Sequence, residues 1–481
     1  MNSSDKLNRN VIEMDDEIEI TEIKPNTSSL SIEKRKKSEF ESSNVSIDIP
    51  NIDENKSIEK EVESSNASLN NNNRNPIIQK VINFFNRLEK VYCPDEALEN
   101  LKNYKYNAVD KSYVSKYILK PYWEFCTKLF PLSMAPNLIT LTGFGFMLIN
   151  LILAIILVPD LEGPTYRWFY ISCSLGLWLY STFDNVDGKQ ARRTKQSSPL
   201  GELFDHGCDS LNCAVGSVVE AAALGLGQTY YTYIFSMITI FTFFYSTWEN
   251  FYTGRLYLGY VNGPTEGLIL GTVIMFLSGV FGPEMWWKPL SHYLGSWVEV
   301  IVTEKCKLID CLLVFMIIFS FVSQIPITFF SVYKACKKNG EKFTNALTST
   351  LPFLIFAAST YLWVSSPNST VLTDHQILFT LTYGIVFGRI ATDIILAHVS
   401  GRSYPKFTFL ILPIIIGAIL VNIPSLFHCG VILNSTGELI FLWVVFGICC
   451  VFYFHWALSI IRRFCKFLDI NCLTIKHRVV F

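Results

Sequence analysis

The sequence predicts an all-α polytopic membrane helix bundle of about ten transmembrane helices, preceded by an interfacial amphipathic helix and a disordered N-terminal tail. Three observations carry that prediction. Half of the 481 residues are hydrophobic and only 17% are charged. Apolar runs of the roughly 20 residues needed to cross a bilayer core recur along the chain, beginning near residue 130. Residues 1–75, by contrast, hold almost no aromatic side chains.

From the N-terminus, residues 1–75 are rich in Ser, Asn, Glu and Lys and include the run Asn70-Asn71-Asn72-Asn73. A segment so poor in apolar side chains cannot offset the entropy of ordering itself, and is expected to be disordered. It also lacks the apolar stretch of a cleavable signal peptide, so the first span is expected to serve as the targeting signal. Residues 107–131 mix aromatic side chains with lysine, and Tyr113 and Tyr117 share one helix face with Lys116 and Lys120 beside them. That pattern predicts a helix lying in the membrane interface, kinked at Pro121 and followed by Tyr122, Trp123 and Phe125.

Ten spans are expected at about 137–158, 168–188, 205–226, 229–248, 264–281, 308–334, 346–365, 375–398, 407–424 and 437–461. An even number puts both chain ends on one side. The loops there, with the span ends they adjoin, carry eleven Lys and Arg, among them Arg192, Arg193, Lys337 and Arg402. The opposite loops carry four: Arg167, Lys288, Lys305 and Lys307. Positive residues mark the cytosolic side, so the ends and the 189–204 loop are expected in the cytosol. Trp286 and Trp287 fit an aromatic belt on the far side. The 13 Cys show no CxxC pair or zinc-like Cys/His spacing and read as small packing residues. Sequons at Asn368 and Asn434 fall in loops expected to be lumenal, both short for a glycosylation site.

One stretch departs from the apolar pattern, Ser181 to Asn212, reading STFDNVDGKQARRTKQSSPLGELFDHGCDSLN. Asp184 and Asp187 stand three apart at the end of one helix, and Asp205 and Asp209 four apart on the next, so each pair shares a face. Between them Ser198 and Pro199 make an N-cap and a first helical position. A carboxylate at membrane depth costs roughly 2.5–3.5 kcal/mol, so four unpaired ones cost on the order of 10 kcal/mol. Arg192 and Arg193 cannot neutralise all four. Bound divalent cation is the simplest answer, and all-oxygen ligands suit Mg²⁺ or Mn²⁺. Two facing pairs suit two ions flanking a phosphoryl group. A carboxylate–arginine network joining the helices is the competing reading.

The full spacing, Asp184-x2-Asp187-Gly188-x2-Ala191-Arg192-x8-Gly201-x3-Asp205-x3-Asp209, resembles the signature of the CDP-alcohol phosphotransferase family. The flanking APNLITLTG (135–143), YVNGPTEG (260–267) and the segment 103–125 are similar to the eukaryotic choline/ethanolamine phosphotransferase subfamily. The resemblance covers about 95–465, a membrane domain with its catalytic core at about 132–282, and leaves 1–75 and the tail 466–481 outside it. It implies that Asp184 and Asp205 bridge two metal ions, with Asp187 on one and Asp209 on the other. Gly188 and Ala191 would leave room for cytidine, Arg192 would hold the donor phosphate, and Asn137 would contact the CDP moiety. By position alone, Asn137 reads as a helix-start cap after Pro136. The resemblance also implies that His206 is the general base, a task for which simpler members without this histidine lean on the last aspartate, here Asp209. His206 lies four residues after Glu202, within hydrogen-bond reach, and a carboxylate that orients an imidazole is common equipment for that task. Glu266, at the cytosolic start of a span, either shapes the lipid or donor entrance or caps a helix.

What the resemblance implies is a transferase that moves phosphocholine or phosphoethanolamine from CDP-choline or CDP-ethanolamine to diacylglycerol and releases CMP. Its expected setting is the endoplasmic reticulum or Golgi membrane, as a homodimer with the site facing the cytosol. Nucleic acid is not an expected partner. The rivals are the same chemistry with another acceptor such as inositol, which the flanks oppose, and a polytopic transporter. A transporter has no use for the basic KQARR segment beside four aspartates. A non-catalytic scaffold would be expected to have lost motif residues, and none is missing.

Overall fold

The computed structural model describes residues 91–300, 305–428 and 430–476, with positions 79, 80, 83 and 89 before them. The tail 1–75, expected to be disordered, lies outside the described residues.

Strand β1 (Ala108–Asp110) comes before the first long helix. A helical stretch follows that passes through one π turn, Ser115–Leu119, into α1 (Lys120–Leu129). Tyr113 and Tyr117 do share a face, their rings stacked with centroids 6.4 Å apart. Pro121 causes no kink within α1. It occupies the first turn, where its missing N–H has no helical partner to lose, and the irregular turn lies before it.

The bundle then runs through α2 (Pro136–Leu157), α3 (Arg167–Arg193), α4 (Pro199–Leu224) and α5 (Tyr230–Thr253). Gly254, at φ 66°, ends α5 in the left-handed conformation that glycine adopts without penalty. The chain turns there into β2 (Leu256–Leu258), which pairs in parallel with β1, Ala108 opposite Leu256. A π turn, Gly263–Gly267, leads into α6 (Leu268–Phe281). Next come α7 (Leu308–Ile318) and α8 (Ile325–Asn339), joined by the π turn Phe319–Gln324. The last four long helices are α9 (Leu351–Val364), α10 (Gln376–Val399), α11 (Ile411–Phe427) and α12 (Ser435–Leu468).

Helices stand at all ten expected positions. Among the described residues, six stretches are long and apolar enough to cross a membrane: Pro136–Leu157, Gly263–Phe281, Leu308–Asn339, Phe343–Val364, Gln376–Val399 and Ser435–Leu468. The shortfall has a local cause. Helices α3 and α4 carry the acidic residues, α5 mixes Thr, Tyr and Glu249 among its apolar side chains, and α11 has 17 residues.

The two largest apolar clusters among the described residues lie on opposite parts of the helix order. One lies among α2, α3, α4 and α6 and includes Met147, Tyr170, Leu177, Val218 and Met275. The other, from α5 and α9 to α12, includes Trp248, Phe353, Trp363, Phe387 and Ile414. Helices α4 and α10 approach so closely that a Cβ on Gly384 would stand 2.2 Å from that of Ala214. Outward-facing Ile149, Ile152 and Ile156 of α2, and Val273, Phe276 and Val280 of α6, are exposed apolar faces that only lipid covers without cost. The fold is an all-α polytopic membrane bundle.

Candidate active site

The site forms where the end of α3 meets the beginning of α4. Ser198 fixes that beginning: its side chain accepts from the Gly201 amide at 3.3 Å, with Pro199 in the first helical position. Asp205 and Asp209 then fall one turn apart and face Asp184 from α3. One carboxylate oxygen from each of Asp184, Asp205 and Asp209 lies within 4.8 Å of the other two. Asp187, buried one turn further along α3, accepts a hydrogen bond from the Thr140 hydroxyl of α2. Asp209 accepts one from the Tyr180 hydroxyl.

Ionised carboxylates within 4.8 Å of one another repel by at least about 3 kcal/mol per pair at an effective dielectric of about 20. No lysine or arginine forms an ion pair with these aspartates among the described residues. Arg193 donates to the carbonyls of Thr127 and Phe130 at 2.8 and 2.9 Å, and Lys189 faces Glu124 at 3.9 Å. Arg192 is exposed, and its guanidinium lies near Gly188. The carboxylate–arginine network is therefore not formed. Asp184 Oδ1 and Asp205 Oδ1 are buried with no hydrogen-bond partner. A cluster of hard oxygen ligands with two lone oxygens turned inward fits a divalent cation.

The other expected site residues gather around this cluster with two departures. His206 Nε2 lies 4.0 Å from Asp205 Oδ2. The hydrogen bond expected between Glu202 and His206 is not made. Glu202 Oε2 accepts instead from the hydroxyl of Tyr104, which arrives from the segment before β1. Helical spacing permits the Glu202–His206 contact but does not rank partners, and the phenol takes the carboxylate. Burial, and then the Glu202 charge beside it, push the Tyr104 hydroxyl well above its usual pKa, so it stays a donor.

Asn137 does not cap α2 either. The cap position is Ala135, and the Asn137 amide is turned to Cys472 Sγ at 3.7 Å. A Cβ built on Gly188 would meet only Arg192, at 3.6 Å, so that face of α3 is open, with Ala191 partly buried one turn on. Glu266 caps: Oε2 accepts from the Asn262 amide at 2.8 Å, and Oε1 accepts from the Ser112 hydroxyl. At the expected lumenal loops, Asn368 donates to Val421 and Ser425, and Asn434 caps α12.

Sequence reasoning does not single out Thr140, Tyr180, Tyr104 or Cys472. Thr140 lies three residues after Asn137, and Tyr180 four before Asp184, so the helix-face argument reaches both. Nothing local marks Tyr104 or Cys472.

A polytopic bundle whose most polar helices converge on inward-facing aspartates defines a membrane-embedded, carboxylate-centred enzyme. The family model for CDP-alcohol phosphatidyltransferase matches residues 133–303, which include all four aspartates. Choline/ethanolaminephosphotransferase 1 of Arabidopsis thaliana is 35% identical over 399 residues, covering 80% of this chain and 99% of the relative. The protein of the same name in Saccharomyces cerevisiae is 33% identical, covering 80% and 98%. Cholinephosphotransferase 1 of that yeast is 32% identical, also covering 80% and 98%. The chain belongs to the CDP-alcohol phosphatidyltransferase family.

Proposed function

We propose that this chain transfers the phosphocholine or phosphoethanolamine group of a CDP-alcohol to diacylglycerol, forming the corresponding phospholipid and releasing CMP. The observation that carries the proposal is the convergence of Asp184, Asp205 and Asp209 within 4.8 Å, on the spacing of the family signature, with two oxygens lacking a hydrogen-bond partner. Relatives named choline/ethanolaminephosphotransferase support the headgroup.

Asp184, Asp187, Asp205 and Asp209 would hold Mg²⁺ or Mn²⁺, two ions in all, and the bound charge would neutralise phosphoryl oxygens. Arg192 at the mouth holds the donor phosphate, Asn137 contacts the CDP moiety, and Gly188 and Ala191 leave space for cytidine. Diacylglycerol enters sideways from the bilayer. Its free hydroxyl oxygen attacks the β-phosphorus while His206 takes the hydroxyl proton. The phosphorus–oxygen bond to CMP breaks, and CMP leaves with the electron pair. Glu202, whose carboxylate accepts from the Tyr104 hydroxyl, is the group proposed to orient the imidazole. The cytosolic orientation rests on the loop charges, and the endoplasmic reticulum or Golgi setting and homodimeric state on the subfamily resemblance.

The test is CMP release by purified protein given diacylglycerol, Mg²⁺ and either CDP-choline or CDP-ethanolamine. Turnover with at least one donor is expected, abolished by chelation. Release with inositol but not diacylglycerol as acceptor would refute the acceptor, and no release in any mixture would refute the transferase.

A further inference from the structure

The residues that follow α12 make contacts that neither the bundle core nor the proposed reaction uses. Asp469 ends the helix at φ 53°, and its carboxylate pairs with Lys476. Within the loop so closed, Asn471 donates to the Thr474 hydroxyl at 2.9 Å. Thr474 forms an isolated antiparallel bridge with Met134, at the corner just before α2. Ile470 and Cys472 pack against a cluster that includes Leu200 and Leu203, on the first turns of α4. The segment 469–476 is therefore strapped to the corner before α2 and lies against the apolar cluster that the first turns of α4 help to form.

Asn137 sits under this strap. It is only 8% exposed, and its one side-chain hydrogen bond among the described residues is Nδ2 to Cys472 Sγ at 3.7 Å. Its Oδ1 points toward the backbone of Gly201, 3.8 Å from where a Cβ would stand. An amide to sulfur contact is weak and cannot by itself hold a side chain in one orientation. Here the sulfur is delivered by a segment fixed three ways, by the Met134–Thr474 bridge, the Asp469–Lys476 pair and apolar packing.

We propose that residues 469–476 form a strap that sets the Asn137 amide for the donor nucleotide, with Cys472 as a positioning residue. This rests on the reading of Asn137 as a contact to the CDP moiety. A group that orients a donor contact equally in ground and transition states acts on KM for the donor and spares kcat.

The experiment uses the full chain in detergent, measuring kcat, KM for CDP-alcohol, KM for diacylglycerol and the thermal unfolding midpoint. Cys472→Leu removes the acceptor, and Thr474→Pro removes the backbone N–H at the bridge together with the hydroxyl that accepts from Asn471, leaving Asn137 and Cys472 themselves unchanged. Each is expected to raise KM for the CDP-alcohol about tenfold, with kcat reduced less than about threefold and KM for diacylglycerol unmoved. Cys472→Ser, which keeps a small acceptor in place, is expected to recover most of the donor affinity. If Cys472→Leu and Thr474→Pro both keep the parent's donor KM, the strap has no such role. Parallel losses of kcat and thermal midpoint with unchanged donor KM would mark a purely structural segment and equally overturn the proposal. A parent that binds and turns over no CDP-alcohol overturns the proposed function and the strap's role together, whereas an active parent with indifferent variants overturns the strap alone.

Discussion

Tyr180→Phe isolates the support beneath the aspartates proposed to hold the metal. The ring of Tyr180 is buried among α2, α3 and α4, and its hydroxyl donates to Asp209. Phenylalanine fills the same ring volume, so the substitution removes one hydrogen bond and opens no sizeable cavity. A hydrogen bond to a charged acceptor is worth about 1.5–3 kcal/mol, roughly ten- to hundredfold in an equilibrium constant. That range matches the usual loss of metal affinity, about 10–100-fold, when a group behind a ligand is removed. The Mg²⁺ concentration for half-maximal CMP release is therefore expected to rise by about that factor, with kcat at saturating Mg²⁺ within a few-fold of the parent. Thr140→Val makes the same test at Asp187. A Tyr180→Phe protein whose Mg²⁺ activation curve superposes on the parent's would show that the phenol does not hold Asp209 for an ion.

His206→Ala is expected to lose roughly 10²-fold or more in kcat, the usual worth of a positioned base, while still binding CDP-alcohol with Mg²⁺. Asp209→Asn should lose donor binding and turnover together, and near-normal turnover in His206→Ala would transfer the base role elsewhere. Glu202→Gln should fall between parent and His206→Ala, and a loss equal to that of His206→Ala would give Glu202 a direct part in proton transfer. A cysteine at Ser197, in a background depleted of other reactive thiols, is expected to react with an impermeant reagent only from the cytosolic face of sealed microsomes, and lumenal labelling alone would invert the topology. Deletion of residues 1–75 should leave detergent activity nearly unchanged, and a large loss of turnover with intact membrane insertion would make the segment part of the catalytic unit.

What was legible in the sequence is what local spacing encodes. Ser198 and Pro199 announce the start of α4 because a cap and its helix are neighbours in the chain. The four aspartates are legible because intervals of three and four put charges on one helix face, where their cost demands a purpose. Tyr180 and Thr140 obey the same geometry but are uncharged, so nothing singles them out from ordinary bundle residues. The Tyr104–Glu202 hydrogen bond joins residues 98 apart, and the Asn137–Cys472 contact residues 335 apart. No periodicity reaches across such intervals. The helix before the first span was legible, but β1 was not, because three residues are too few to display a strand's alternation.

The parallel pairing of β1 with β2 has a consequence for the order in which the enzyme is made. Ala108 leaves the ribosome 148 residues ahead of its partner Leu256, and chains emerge from the N-terminus onward. By the time β2 exists, α3 and α4 have been synthesised with all four aspartates in place. Throughout that interval the segment carrying Tyr104 has no strand to anchor it, and it cannot be drawn down beside Glu202 by the pairing. The four aspartates are thus synthesised before the strand pairing that anchors the Tyr104 segment can form, so the acidic pairs on α3 and α4 precede the tether that follows them.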